Sequence, residues 1–405
     1  YFSGTGSTAI VFRYTVTSGD LDANGVALGS VIDLNSGTMR DASLNDATLT
    51  YTAPGTASIN IDGVVPTISS VNLPAVNTYK ESAIVDFTFT FDQTVNVTGT
   101  PRMEITLASG TVYADYFSGD GSSSLVFRYI PTASDLDTNG IDIISPLELN
   151  SGTILDENGN IATLTYAAGS TALIFIDAVV PTISNLTAPA NATYKIGENL
   201  DFTATFSEIV DISGTPRLPI TLSSGTVYAD YLSGTGSTSI IFRYTASASD
   251  LDTDGIVLTS PVDLNSGTIE DVATNNATLT YTLPNTASIN VDGVVPTVSS
   301  VTPPANATYM LGDNVDFTVV YNDNVDVTGS PRIEITLGSG TVYATYQSGT
   351  GTSNLVFRYT VAASHLDADG IVLVSPIGLN SGTLLDTNGN VAALTYTLPN
   401  TASIN

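Results

Sequence analysis

The sequence contains no cysteine and no tryptophan, and it has a single histidine. Without cysteine, neither a disulfide-built scaffold nor a thiolate metal site can form. Basic residues are also scarce: 10 Lys and Arg stand against 39 Asp and Glu, which gives a formal net charge of −29. Such an acidic chain repels nucleic acid phosphates and attracts cations, Ca²⁺ above all. We therefore expect no nucleic acid partner.

Long apolar runs and catalytic groups are missing as well. No apolar run approaches the roughly 20 residues of a membrane-spanning helix, so we predict no membrane insertion in this segment. His365 is the only histidine, and no nucleophile elbow or catalytic-triad spacing appears among the serines and threonines. We expect that the protein is not an enzyme.

A repeat of 115 residues dominates what is present. Phe-Arg-Tyr begins at positions 12, 127, 242 and 357, and Leu-Asn-Ser-Gly-Thr begins at 34, 149, 264 and 379, each 115 residues after the one before. The chain therefore divides into the C-terminal half of a repeat at 1–65, here called the half-repeat, and repeats 1, 2 and 3 at 66–180, 181–295 and 296–405. Half a domain would expose its core, so we expect 1–65 to belong to a longer array or to be completed by a neighbouring chain.

Each repeat has the pattern of a series of short strands. In repeat 2 these runs lie between Ser-Gly, Thr-Gly and Asp-Gly turn signals, at 200–206, 217–222, 226–231, 239–245, 256–258, 277–282 and 287–291. Pro219 lies inside the second run and predicts an edge strand. Seven or so strands in about 115 residues predict an antiparallel β-sandwich. The junctions, such as Ile61 to Pro66, leave almost no linker, which predicts a semi-rigid rod.

The repeat resembles the bacterial immunoglobulin-like repeats of giant cell-surface and secreted adhesins and biofilm proteins. In repeat 2 the resemblance is carried by the segments Ala192 to Glu198, Phe206 to Asp211, Ser213 to Pro216, Tyr231 to Ser237, Asp250 to Gly255 and Leu264 to Ile269. It implies an all-β fold of tandem immunoglobulin-like antiparallel β-sandwich domains in an extended rod, and an extracellular or cell-surface location. It does not choose among spacer, adhesive and assembly roles.

A loop of alternating oxygen ligands is the best candidate for a binding site. Asp-Leu-Asp-x-[Asn/Asp]-Gly matches the first half of a calcium loop but lacks the closing Glu of an EF-hand, and a further carboxylate follows thirteen residues after the first Asp. The candidate calcium ligands are Asp20, Asp22, Asn24 and Asp33, then Asp135, Asp137, Asn139 and Glu148, and finally Asp250, Asp252, Asp254 and Asp263. In repeat 3, His365 and Gly378 replace the first Asp of the loop and the downstream carboxylate. The alternative is a polar turn whose side chains bond to local backbone.

Other acidic and basic residues recur at the same places in the repeats. A second possible cation position is the repeat junction, at Asp62, Asp177 and Asp292. The aspartates that precede Asn-containing turns are expected to hold those turns; they are Asp41, Asp156, Asp271 and Asp386. Seven arginines at fixed positions predict structural ion pairs with acids on strands; they are Arg13, Arg102, Arg128, Arg217, Arg243, Arg332 and Arg358.

These features favour a structural or adhesive repeat segment of a long extracellular bacterial surface protein, stiffened by calcium and directed at a cell-surface or matrix ligand. One alternative is a self-assembling subunit of an extracellular filament or sheath, whose partners are other copies of itself. A second alternative is a carbohydrate-binding module.

The calcium hypothesis predicts saturable binding in calorimetric titrations of the chain, together with a rise in melting temperature. Asp137→Ala and Asp252→Ala should weaken the binding because each removes an oxygen ligand. Absence of binding at millimolar calcium would leave the loops as turns.

Overall fold

The structure is a computed structural model that describes all 405 residues, and it consists of β-strands and loops without any helix. It accordingly has no helix that could cross a membrane. The chain divides into two compact units, Tyr1–Val179 and Val180–Asn405, so the boundary falls beside the predicted junction of repeats 1 and 2. The all-β prediction is confirmed.

The first unit contains the half-repeat and repeat 1. Its strands are β1 (Leu21–Asp22), β2 (Ile61–Asp62), β3 (Ile68–Asn72), β4 (Asn77–Tyr79), β5 (Val85–Thr98), β6 (Arg102–Leu107), β7 (Gly110–Ser118), β8 (Ser122–Tyr129), β9 (Leu136–Asp137), β10 (Asp142–Glu148), β11 (Thr153–Leu155) and β12 (Ile174–Asp177).

The second unit contains repeats 2 and 3. The strands of repeat 2 are β13 (Ile183–Thr187), β14 (Thr193–Lys195), β15 (Asn199–Ser213), β16 (Arg217–Leu222), β17 (Gly225–Ser233), β18 (Ser237–Thr245), β19 (Leu251–Asp252), β20 (Val257–Leu258), β21 (Thr268–Glu270) and β22 (Asn290–Asp292). Those of repeat 3 are β23 (Val298–Thr302), β24 (Asn314–Thr328), β25 (Arg332–Leu337), β26 (Gly340–Ser348), β27 (Thr352–Thr360), β28 (Val372–Gly378) and β29 (Thr383–Leu385).

One large sheet of seven strands curls around the core of each repeat. Its order in repeat 1 is β10-β6-β7-β8-β5-β11, with β3 also on β5. Repeats 2 and 3 have the equivalent sheets β13-β15-β18-β17-β16-β20 and β23-β24-β27-β26-β25-β28, with β21 on β15 and β29 on β24. The long strand makes the curl possible, since β15 pairs with β18 along its first part and with β21 along its last, after a register shift between Thr205 and Val210.

A small second sheet of three strands brings together the start and the end of the repeat. It has the order β4-β12-β9 in repeat 1 and β14-β22-β19 in repeat 2. The pairs β4–β12 and β14–β22 are parallel, which the expectation of a purely antiparallel domain did not include. Parallel pairing needs a long crossover between the two strands, and nearly the whole repeat supplies it.

Strict alternation of apolar and polar residues places one face of the large sheet in the core. Along β15 the side chains of Leu200, Phe202, Ala204 and Phe206 are buried, and the residues between them face outward. Phe202 lies opposite Phe242 of β18, and both are 0% exposed. Complete burial of such a side chain contributes roughly 1.5–3 kcal/mol. The same phenylalanines are buried at the equivalent positions of repeats 1 and 3.

Two details of the strand prediction for repeat 2 are wrong. The strand β16 with Pro219 is not at an edge, because it lies between β17 and β20. Proline has no N–H for the ladder, and β20 is only two residues long, where β10 and β28 have seven. The run 277–282 forms no regular strand. Its backbone bonds in turn to Ile269, Pro181 and Val262, so no single neighbour provides a ladder.

The half-repeat exposes side chains that repeat 1 buries. Phe12 is 51% exposed where its equivalent Phe127 is 0% exposed, and Tyr14 is 64% exposed where Tyr129 is 4% exposed. Regular pairing in 1–65 is limited to the two-residue strands β1 and β2. The same residue types are therefore core or surface according to whether the long strand and its neighbours cover them.

Three tyrosines, of which one is buried and two are half-buried, predict how stability responds to alkali. The hydroxyls of Tyr166, Tyr281 and Tyr396 donate to backbone carbonyls at 2.7, 2.8 and 2.8 Å, and burial raises the pKa of each from 10.0 to about 12. Because the folded pKa lies above the unfolded one, this stabilisation is complete below pH 10 and is lost as the pH rises through 12.

Replacing these three tyrosines with Phe should cost about 1 kcal/mol per site at pH 7 and flatten the loss of stability in alkali. Denaturant unfolding from pH 7 to 12 measures both effects. Tyr51→Phe, at the equivalent exposed position of the half-repeat, is the matched control. An unchanged alkaline profile in the triple variant would contradict the assignment.

Candidate functional site

The Asp-x-Asp loops and the junction aspartates lie on adjacent strands of the small sheet. In repeat 2, Leu251 lies opposite Asp292, and Asp252 lies opposite Val291. Residues directly across a pair share a face, whereas successive residues alternate. The side chains of Asp252 and Asp292 therefore point to opposite faces, and they do not share a site.

The first aspartate of each loop is held by hydrogen-bond donors. The hydroxyl of Tyr129 donates to Asp135 at 2.7 Å, and the backbone N–H of Thr132 donates to the same oxygen at 2.7 Å. Burial, together with this bond to Asp135, raises the pKa of Tyr129 well above its usual value. Tyr244 and Tyr14 make the same bond to Asp250 and Asp20.

The second aspartate is buried in repeats 1 and 2, where Asp137 and Asp252 are each 3% exposed. Asp137 accepts the N–H of Ala108 at 2.9 Å and that of Asn139 at 3.3 Å. Asp252 accepts backbone N–H groups of residues 223 and 255, at 3.0 and 2.8 Å. In the half-repeat, Asp22 accepts the N–H of Asn24 at 3.1 Å. These bonds tie the loop to neighbouring strands and to itself.

The glycine that ends the loop has a packing role. Gly255 has φ +102°, and a Cβ on it would lie 2.6 Å from the Cα of Ala287. Only glycine fits this close approach of two backbone segments. The adjacent Asp254 accepts the hydroxyl of Ser223 at 3.3 Å. The geometry of the loop thus favours the hydrogen-bonded turn.

The downstream carboxylates belong to different contacts. Glu148 and Asp263 each accept a guanidinium N–H at 2.8 Å, and Asp33 accepts the backbone N–H of Asn35 at 2.9 Å. Within either unit, no three carboxylates of the predicted sets come within 4.8 Å of one another. The structure therefore does not assemble the proposed ligand sets. Carboxylate oxygens that already accept hydrogen bonds from N–H and O–H donors suit a turn better than a cation site. Calcium binding stays a prediction.

A row of alternating charges crosses the outer face of the large sheet in repeat 1. The cross-strand order is Glu148, Arg102, Asp115, Arg128 and Asp86. Arg102 bonds to Glu148 at 2.8 Å, and Arg128 holds both oxygens of Asp86 at 2.7 and 2.8 Å. Three carboxylates and two guanidiniums give the row a charge of −1. The predicted structural ion pairs of the arginines are confirmed here.

Repeat 2 has the same row. Its order is Asp263, Arg217, Asp230, Arg243 and Asp201. Hydrogen bonds from Arg243 hold the pKa of Asp201 below its ordinary value of 3.8, and Arg217 does the same for Asp263. Because these folded pKa values are depressed, the stabilisation is present above pH 4 and is lost as the pH falls through the folded pKa.

In repeat 3 the strands keep the same register, but two acids of the row are replaced. The order is Gly378, Arg332, Thr345, Arg358 and Asp316. Arg358 still holds both oxygens of Asp316, at 2.7 Å each. Two guanidiniums and one carboxylate now give the row a charge of +1. The predicted ion pair is therefore confirmed for Arg358 but is absent at Arg332.

An Asp-x-Asn-x-Asn turn fastens repeat 3 to repeat 2 inside the second unit. Asp386 is 4% exposed and accepts the N–H groups of Asn388 and Asn390 at 2.9 and 2.8 Å, which confirms that this aspartate holds a turn. Asn388 donates to the carboxylate of Asp292 at 2.6 Å, and Asn390 donates to the carbonyl of Asp292 at 2.9 Å. Asn390 also accepts the N–H of Ile196 at 3.1 Å.

The first unit contains the same connection between the half-repeat and repeat 1. Asn158 donates to the carboxylate of Asp62 at 2.6 Å, and Asn160 donates to its carbonyl at 3.1 Å. At these junctions Asp62 and Asp292 therefore accept amide donors from the next repeat. In the first unit, Asp177 ends β12. The link was not foreseen, although the recurrence of Asn-Gly-Asn 96 residues after a junction Asp was visible in the sequence.

No protein-family profile matches the chain, and no curated protein is similar to it in sequence.

The junction predicts a coupling between repeats 2 and 3 to which the side-chain amide of Asn388 contributes. Asn388→Ala removes the donor to Asp292, a hydrogen bond to a charged group worth about 1.5–3 kcal/mol. In the variant we expect faster amide hydrogen exchange at Val294, whose N–H donates to Asp292 at 3.0 Å, and at Ile196, whose N–H donates to Asn390. We also expect an earlier onset of thermal unfolding. Asn354→Ala, at an exposed strand position, is the control. Equal exchange in both variants would contradict the coupling.

Proposed function

We propose that this chain is a structural repeat segment of an extracellular bacterial surface protein, in which immunoglobulin-like β-sandwich repeats act as spacers. The observation that carries the proposal is the junction between repeats 2 and 3. There, a turn anchored by the buried Asp386 bonds to both the carboxylate and the carbonyl of Asp292 in the repeat before it. A spacer needs such contacts because flexible linkers would let its domains swing.

The distribution of functional groups supports a scaffold role. The Asp-x-Asp loops and the charge rows recur at 115-residue spacing, and the Asp-x-Asn-x-Asn turn occurs in repeats 1 and 3. Their polar groups bond mainly to one another or to backbone. A repeated, internally satisfied polar network rigidifies a fold. An acidic surface with few lysines also suits a protein that must stay dispersed outside the cell.

Self-assembly into a filament or sheath is the second candidate. It is favoured by the low proportion of charged residues, 12%, because weakly charged strand edges can template association. In such an assembly a neighbouring copy would cover the apolar face of the half-repeat, where Phe12, Tyr14 and Ile59 are 51%, 64% and 54% exposed. A neighbouring copy that covered this face would make the chain a subunit rather than a spacer.

Single-molecule stretching of the full chain tests the spacer proposal. Three mechanically equivalent repeats should give three unfolding steps of equal length. Each step should release about 115 residues at about 3.6 Å per residue, roughly 400 Å less the folded end-to-end distance. Steps of unequal length, or one cooperative rupture, would contradict it.

Light scattering at rising protein concentration separates the two candidates. A constant mass near 41.9 kDa supports the spacer. Growth of the mass with concentration, reversed by Phe12→Ser and Tyr14→Ser, supports self-assembly through the half-repeat.

A further inference from the structure

The charge row of repeat 3 contains an arginine whose internal partners are missing. In repeats 1 and 2 the equivalent guanidinium bonds to a carboxylate at 2.8 Å, from Glu148 or Asp263. A second acid, Asp115 or Asp230, lies opposite it on the next strand. At Arg332 the same two positions hold glycine and threonine, and no ion pair forms there.

Arg332 nevertheless stays fixed in place. It is part of β25, paired on both sides, and its guanidinium lies 3.8 Å from the ring centroid of Tyr343. The equivalent distances at Arg102 and Arg217 are 3.6 and 3.9 Å. Stacking on an aromatic face orients the planar fork of donors and leaves its edge able to bind. The guanidinium of Arg332 is therefore oriented as in repeats 1 and 2, where a carboxylate binds the equivalent arginine.

The place of the missing acid is open. A Cβ on Gly378 would lie 3.7 Å from the Cγ of Arg332 and 3.6 Å from its carbonyl oxygen, which are ordinary contact distances. The space occupied by the side chain of Glu148 or Asp263 in the other repeats can therefore be entered. Glu334 lies two residues along the same face of β25, but it forms no ion pair with Arg332.

We propose that Arg332, backed by Tyr343 and flanked by Gly378 and Thr345, binds the carboxylate of an Asp or Glu side chain on another polypeptide. The fold itself indicates this ligand, because an Asp or Glu side chain occupies the equivalent position in repeats 1 and 2. Arg332 offers a fork of N–H donors that matches a carboxylate in two parallel bonds. The row carries a charge of +1 in repeat 3 and −1 in repeats 1 and 2, so it repels an acidic side chain less in repeat 3 than in the other two. The inference does not rest on the proposed spacer function.

The test follows the arginine side-chain Nε–Hε signals of the full chain by NMR, with Arg332→Lys to assign the signal. The probe is a capped deca-glutamate peptide, and a deca-glutamine peptide is its neutral control. We expect the Arg332 signal to shift saturably with glutamate only. The signals of Arg102 and Arg217 should move less than one-tenth as far, because their carboxylate partners are already bound.

Two substitutions restore the internal acid. Gly378→Asp copies repeat 2, and it should weaken peptide binding at least tenfold, whereas the neutral Gly378→Asn should bind as the parent does. If Gly378→Asp fails to fold, Thr345→Asp supplies the acid from the other side. An Arg332 signal that does not move, or unchanged binding in the folded Asp variant, would overturn the proposal. A response to oligogalacturonate or sulfate but not to deca-glutamate would overturn the assignment of a polypeptide ligand.

Discussion

The register between the longest strand and the Phe-Arg-Tyr strand is the constraint on which each repeat depends. In repeat 2 this pairing sets Phe202 against Phe242 inside the sheet and Asp201 against Arg243 outside it. A slip by one residue would exchange the two faces, exposing the aromatic core and burying the ion pair. Burial of the phenylalanines and pairing of the charges therefore favour the same register, and neither could be satisfied in another.

The charge row follows from that register across five strands. Once Asp201 faces Arg243, the ladder places Asp230, Arg217 and Asp263 in line on the same face. Each pair is partly exposed, with side-chain exposures of 28–41% for the two ion pairs of this row, so its net stabilisation is modest. The row matters more for specificity, since a strand that shifted would carry its charge away from the opposite charges beside it.

The three repeats share residues in the core and differ at the end of the charge row. The facing phenylalanine pair, Phe202 and Phe242 in repeat 2, and the Arg-Asp pair of the long strand recur in all three repeats. The end of the row differs, because Gly378 and Thr345 replace two acids in repeat 3 while the backbone register is kept. His365 likewise takes the place of Asp135 and Asp250, and it still contacts the repeat-equivalent hydroxyl, that of Tyr359. A fold fixed by its core tolerates such changes at its surface and can acquire binding properties there.

The sequence by itself determined the repeat, its length and most strands, because apolar alternation with a period of two is a local property. It also determined that Arg243 and Arg358 would pair with acids. Only the tertiary structure decided which acids these are, since Asp201 and Arg243 are 42 residues apart. The same holds for the aspartates predicted to bind calcium: the spacing of Asp250, Asp252 and Asp254 suits both a cation and a turn. The choice depends on donors from distant strands, such as the N–H of Ser223, which no local pattern specifies.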